Sequence, residues 1–175
     1  ILIGLVGSEM CIRDSIVTYT IRVFNEGEMD GYASEIKDDM PQGLKFLTDN
    51  KTNIEYRWKM LDKDGKETEN LDEAVSIVTD YLSKEQEKTA GANLLKAFDG
   101  EKLDYRDVKV AFEVTEPNTS DRILINQAQI SKDSDKDGND VTDQDSVPDK
   151  WNEGEDDQDI EKVKVQYFDL SLIHI

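Results

Sequence analysis

Imidazole and thiol are almost missing from this sequence: 175 residues hold one His and one Cys. His174 and Cys11 both lie near the ends. A single Cys forms no intramolecular disulfide. Between those two residues the chain has nothing from which to build Cys–His or Ser–His–Asp nucleophilic machinery, or a Cys/His zinc site. Positive charge is also scarce, with 21 Lys and Arg against 40 Asp and Glu, a net charge of −19. Such a surface repels phosphate backbones and anionic lipid, which excludes nucleic acid and the membrane surface as expected partners. It suits a secreted or surface-exposed protein, or one that gathers divalent cations. No apolar run approaches the roughly 20 residues needed to cross a bilayer, so no membrane insertion is expected of this stretch. What is present, 37% hydrophobic residues, suffices for one packed domain with a tail.

The two ends differ from the middle. Residues 1–15, ILIGLVGSEMCIRDS, are apolar and then mixed, and run abruptly into a strand pattern. They could be the remnant of a signal peptide's apolar stretch, although its charged leading segment is missing. GLVGSEMCIRDS also resembles the translation of a sequencing-library adapter found at the ends of metagenome-derived reading frames. SLIHI at 171–175 resembles the same artefact. On that reading the biological polypeptide runs from about Ile16 to Asp169, a fragment of a longer protein.

Within 16–130 the patterning is mainly that of strands. IVTYTIRVF (16–24) places Val17, Tyr19, Ile21 and Val23 on one face. ASEIKD, LKFL and EYRWKML are further strand candidates. The last of these puts Tyr56 and Trp58 on one face, as a core pair or, less simply, as a platform for a sugar ring. Pro41-Gln42-Gly43 suits a type II turn, and Asp64-Gly65 a hairpin leading into ETENL. Ser83 with Gln86 forms a capping-box start, and the spacing of Leu94, Leu95 and Phe98 predicts a helix over 83–98, weakened by Gly91. DVKVAFEVT sets Val108, Val110, Phe112 and Val114 on one face, and ILINQAQI (123–130) is another strand. Residues 162–170 start a further strand or the next repeat. Short strands with turns between them predict an antiparallel β-sandwich carrying one inserted helix.

From 131 to 161 the chain carries ten Asp and three Glu against three Lys, and with them more than half of the net charge. It reads as an acidic linker. Asp133, Asp135 and Asp137 followed by Gly138 match the opening of an EF-hand loop or a thrombospondin-type calcium repeat. Position twelve is Gln144 rather than Glu, so the EF-hand pattern fails. A looser Ca²⁺ site remains, with Asp140, Asp143 or Asp145 closing the shell and the Asn139 carbonyl contributing. The plainer alternative is a solvated charge run. Asp156, Asp157 and Asp159, with no glycine hinge, are read that way.

VTYTIRVFNEGE, DDMPQGLKF, VAFEVTE, ILINQAQI and DSVPD, taken in order, resemble a conserved domain of unknown function that recurs in tandem on Gram-positive surface proteins. The resemblance covers 16–48 and 108–148 and is poor over 50–107. It implies an immunoglobulin-like sandwich in an extracellular, cell-surface or cell-wall setting, with adjacent repeats of the same protein as partners. Related sandwiches carry an intramolecular Lys–Asn isopeptide bond promoted by a buried acid. The resemblance implies Asn126 as acceptor, with the Lys on a strand before Ile16, where the adapter-like sequence stands, so the bond is not expected to form in this chain; the plainer alternative is a buried Asn bonded to neighbouring backbone. The function expected is a non-catalytic stalk, spacer or adhesin module. The alternative is a ligand- or carbohydrate-binding module. An enzyme using two carboxylates is the third class, and the abundance of acid nominates no pair.

Overall fold

The structure, a computed structural model, describes the backbone of residues 2–6, 10–12, 16–115, 123–141 and 158–166, and side chains within 16–115 and 126–141. Its strands are β1 (Leu2–Val6), β2 (Met10–Ile12), β3 (Ile16–Asn25), β4 (Gly31–Asp39), β5 (Leu44–Phe46), β6 (Lys59–Asp62), β7 (Glu67–Thr68), β8 (Ala74–Thr79), β9 (Asp104–Val114), β10 (Ile123–Asp135) and β11 (Gln158–Gln166). They form a four-stranded sheet ordered β1-β3-β9-β5 and a seven-stranded sheet ordered β2-β11-β10-β4-β8-β6-β7. All pairings are antiparallel except that of β11 with β2. The arrangement is an immunoglobulin-like β-sandwich. Among the described residues no helix is long and apolar enough to cross a membrane.

The core follows from period-two alternation in the two longest apolar strands. In β3, Val17, Tyr19, Ile21 and Val23 are buried, and in β9 so are Val108, Val110, Phe112 and Val114. The register sets Ile21 opposite Val108, Tyr19 opposite Val110 and Val17 opposite Phe112, so both apolar rows share one face. Phe112 meets Tyr19 and Phe46 edge-on, with ring centroids 6.0 and 6.1 Å apart. From the other sheet, Ala33, Ile36, Ile77, Ala128 and Ile130 close the core.

Two turns form as the sequence predicts. Leu44 N donates to Pro41 O, and Gly43 sits at φ 88°, the positive value a type II turn requires. Gly65 (φ 74°) lies in the β6–β7 hairpin, where Asp62 N donates to Lys66 O.

The expected helix over 83–98 is absent. Only Lys84–Gln86 forms a 3-10 turn, and Ser83 makes no side-chain cap. Gly91 takes φ 77°, which ends helical geometry, and the segment is held open by tertiary bonds. The Arg106 guanidinium donates to the carbonyls of Ala92 and Leu94, and Asn93 Nδ2 donates to those of Tyr81 and Ser83. Leu95 is fully buried and exchanges two backbone bonds with Gly31. Gly31 also lets β4 approach β10, since a Cβ there would lie 2.8 Å from Ser134 O.

The helix that does form is α1 (Lys51–Glu55), where the sequence pattern predicts no element before Glu55. Asn50 caps it, accepting from Thr52 N at 2.9 Å. Arg57, at φ 58°, breaks the EYRWKML pattern, so the strand starts only at Lys59.

α1 also answers a problem at the edge of β9. β5 ends at Phe46, opposite Phe112, leaving the β9 backbone beyond it without a neighbour. Buried Asn53 takes the vacant place, accepting from Ala111 N and donating to Ala111 O, both at 2.8 Å. Its amide also donates to Leu47 O, and the Trp58 indole N–H donates to Lys109 O at 2.8 Å. A side-chain amide here does the work of a strand. Removing it strands two buried backbone groups, so Asn53→Ala is expected to cost about 2 to 4 kcal/mol. Urea unfolding measures this as a fall in midpoint, and an unchanged midpoint would refute the edge-capping role.

Candidate functional site

The inward-facing alternation of β10 predicts that Asn126 is buried, and it is fully so. The structure adds a partner that the sequence reading did not name. Asp38 in β4 shares the inner face with Ile36 and is also fully buried. Its register partners are Ala128 on β10 and Ile77 on β8. Asn126 Nδ2 donates to Asp38 Oδ2 at 2.7 Å, which is the only hydrogen bond joining the two side chains among the described residues.

The remaining oxygens of the pair are the unusual feature. Asp38 Oδ1 and Asn126 Oδ1 are both buried, and neither has a hydrogen-bond partner among the described residues. Burial among Ala128, Ile77 and the core holds the Asp38 carboxyl well above the usual carboxylate range. The bond from Asn126 opposes that shift, and the charge of neighbouring Asp39 adds to it. Burial thus shifts Asp38 toward its neutral acid form, beside the Asn126 amide.

The acidic segment is built differently from expectation. β10 runs on to Asp135, past residue 130, and Asp133 and Asp135 lie in its last turn-side residues. Asp135 N donates to Asn139 O, Gly138 N donates to Asp135 O, and Ser134 bridges to Asp140, so the chain turns back on itself. Gly138 supplies the sharp turn at φ 85°. The Asp135 carboxylate is spent on this turn: Oδ1 accepts from Asp137 N at 2.8 Å and from Asn139 N at 2.9 Å, and the Asn139 amide reaches both oxygens. These bonds, led by the Asn139 side chain, hold its carboxyl below the usual range. Asp137 pairs with Lys136 at 2.9 Å. The Asn139 carbonyl is engaged by Asp135 N rather than turned toward an ion. Among the described residues no three metal-ligating side chains converge. Asp143 and Asp145 lie outside the described residues, as do Asp156 and Asp157.

Tyr56 and Trp58 do not form a platform. They flank Arg57 after α1 instead of sharing a strand face. Trp58 is buried, with its N–H committed to Lys109, while Tyr56 packs edge-on against Tyr81 at 4.8 Å. Both serve packing. The other carboxylates held below their usual range, Asp30, Glu87, Asp99 and Asp104, each bond backbone amides, with a neighbouring cation beside Asp30 and Asp104.

No family model matches the chain, and no curated protein matches it. Among solved structures it is similar to the collagen-binding domain from a Staphylococcus aureus adhesin, at 8% identity and TM-score 0.41, covering 94% of this chain and 97% of that one. It is similar to an uncharacterized protein from Nocardia farcinica with an immunoglobulin-like fold, at 14% identity and TM-score 0.44, covering 93% and 97%. It is also similar to BcpA, the major pilin subunit of Bacillus cereus, at 13% identity and TM-score 0.34, covering 93% of this chain and 39% of that one. No functional residue is carried over from any of them.

The Asp38–Asn126 pair makes its own energetic forecast. Asn126→Leu alone leaves the acid without its donor and is expected to cost about 1 to 3 kcal/mol, whereas Asp38→Leu/Asn126→Leu together restore most of that loss. Because the folded carboxyl titrates above its unfolded value of about 3.9, its contribution is complete below that value. It is lost as pH climbs through the raised folded value. Denaturant titrations across pH should therefore show wild type losing stability on the alkaline side relative to the double variant. Parallel pH profiles would mean that Asp38 is not held neutral.

Proposed function

We propose that this chain is a non-catalytic extracellular repeat, a stalk, spacer or adhesive module of a bacterial surface protein, whose buried Asp38 and Asn126 are the acid and acceptor of a Lys–Asn isopeptide site that lacks its lysine here. The observation that supports this reading is the buried Asp38–Asn126 pair with two unpartnered oxygens. An arrangement that costs stability and faces no solvent suits a chemical step performed once, within the fold, better than binding or turnover.

The chemistry is balanced by the groups at hand. In an apolar core a lysine amine is held neutral and nucleophilic. Its Nζ attacks the Asn126 carboxamide carbon while Asp38, protonated, shares its proton with the carbonyl oxygen. Asp38 then takes a proton from the attacking nitrogen and delivers it to Nδ2. The carbon–Nδ2 bond breaks, ammonia leaves, and an amide joins the two side chains. The lysine belongs on the strand that pairs with β3 on the side away from β9. In this chain that strand is β1, LIGLV, which has none.

The test is to supply it. Ile3 and Leu5 are the register partners of core-facing Val23 and Ile21. Ile3→Lys or Leu5→Lys is expected to lose the mass of one ammonia on folding. The loss should vanish when Asp38→Ala is added. Folded protein of full mass in both lysine variants would remove the isopeptide reading.

The acidic segment that follows β10 leads into β11, the antiparallel neighbour of β10 in the same sheet. A calcium ion held by Asp133, Asp137, Asp143 and Asp145, with Asp135 and Asn139 shaping the turn, would stiffen that connection. Calorimetry on residues 16–169 is expected to give saturable binding in the ~10⁻⁴ to 10⁻³ M range of extracellular modules. Asp137→Asn/Asp143→Asn, which spares the Asp135 turn, should abolish it. No heat up to ~10 mM would leave the segment a charged spacer.

A further inference from the structure

A second site lies where the two sheets part. Between edge strand β5 of one sheet and the β6–β7 hairpin of the other, a cleft of 740 Å³ is lined by Phe46, Trp58 and Met60, with Thr48, Thr68, the Lys59 ammonium and the carboxylates of Glu67 and Glu69 beside them. Its floor is apolar and its rim polar. Glu67 pairs with Lys59, whereas Glu69 has no ion-pair partner among the described residues.

Both walls also present unpaired backbone. Asp62 bonds Lys66 across the hairpin, and Met60 faces Thr68 in the same sense. Antiparallel alternation then turns the N–H and C=O of intervening Glu67 away from β6, toward the free edge. On the opposite wall Thr115 N bonds Gly43 O, and the same alternation turns the backbone of Phe46 outward from β9. β7 is two residues long, so an added strand would pair with the backbone of Glu67 and little else.

We propose that this cleft docks an extended peptide whose side chains alternate between apolar and basic, added as a strand beside Glu67. Strand addition satisfies the edge backbone, and every second side chain then points into the cleft while its neighbours face the rim. Phe46, Trp58 and Met60 select apolar residues for the first set, and Glu67 and Glu69 select Lys or Arg for the second. Charge decides between a foreign peptide and a second copy of this chain: two molecules of net charge −19 repel each other.

The probe is a capped hexapeptide alternating Lys and Val, titrated into the full chain and followed by backbone amide and indole NMR resonances. Saturable shifts are expected at Glu67, Thr68 and the Trp58 indole. Glu67→Pro removes the edge N–H at a position where an edge strand tolerates proline, and should abolish binding without altering the dispersed spectrum. Glu69→Lys should weaken binding about tenfold, the equivalent of about 1.4 kcal/mol. The proposal is overturned if a capped Glu-Val hexapeptide binds equally well, or if shifts arise elsewhere or not at all. It is also overturned if a neutral glucose hexasaccharide produces the same shifts. Concentration-dependent dimerisation that protects the Glu67 amide without peptide would assign the edge to a second copy instead.

Discussion

The pairing of β3 with β9 is the constraint on which the sandwich rests. Ten consecutive register partners, Ile16 with Glu113 through Asn25 with Asp104, fix two apolar rows on one face. Since the side-chain period is two, a slip of one residue would send Val17, Tyr19, Ile21 and Val23 to the solvent side and bring Thr18, Thr20 and Arg22 inward. The outer face resists that slip as well. Arg22 and Asp107, opposite one another, form a two-pronged ion pair with bonds of 2.8 and 2.9 Å, and Arg22 lies over the Tyr105 ring at 4.1 Å. The exposed ion pair itself adds little stability, but it penalises the wrong register.

With that face fixed, the second sheet must present its own apolar row, and it does so with one exception. Ile36, Ile77, Ala128 and Ile130 are ordinary core residues, whereas Asp38 and Asn126 occupy positions that Leu or Val would fill at lower cost. A buried polar pair retained at a stability cost either specifies register or performs chemistry. Register is already specified here, by apolar alternation on both sheets and by the close approach of Gly31 to Ser134. The pair is thus a local cost to stability that register does not require.

The sequence carried most of this but not all. Alternation identified the inner faces of β3 and β9 residue by residue, because long strands with strong β formers leave little ambiguity. It also buried Asn126. The same rule, run through ASEIKD, places Asp38 beside Ile36 on the inner face, yet a carboxylate next to a second acid in an acidic chain looks like surface. Only the sheet order, which brings β4 beside β10, gives Asp38 its partner. The error over 83–98 has another origin. Leu94, Leu95 and Phe98 have helical spacing, but of these only Leu95 is fully buried, and Arg106 and Asn93 claim the backbone carbonyls for tertiary bonds. At Lys51–Glu55 a helix capped by Asn50 forms where no element was read, and within EYRWKML, which begins at Glu55, a single positive φ at Arg57 was the deciding and unreadable feature.

The acidic residues follow one rule from end to end of the described chain: a carboxylate near a turn is drawn first to backbone N–H. Asp62 takes the amides of Asp64 and Lys66, Asp99 those of Glu101 and Lys102, and Asp135 those of Asp137 and Asn139. Turn formation therefore competes with cation binding for the same lone pairs, and it wins wherever a glycine lets the chain fold back within a few residues. The D-x-D-x-D-G pattern contains both answers at once. Its middle Asp135 and its Gly138 make the turn, and that turn holds Asp137 and Asn139 close to the carboxylate they enclose. A metal arriving there would meet a preformed loop with one ligand already committed, which favours weak, reversible binding over a structural ion.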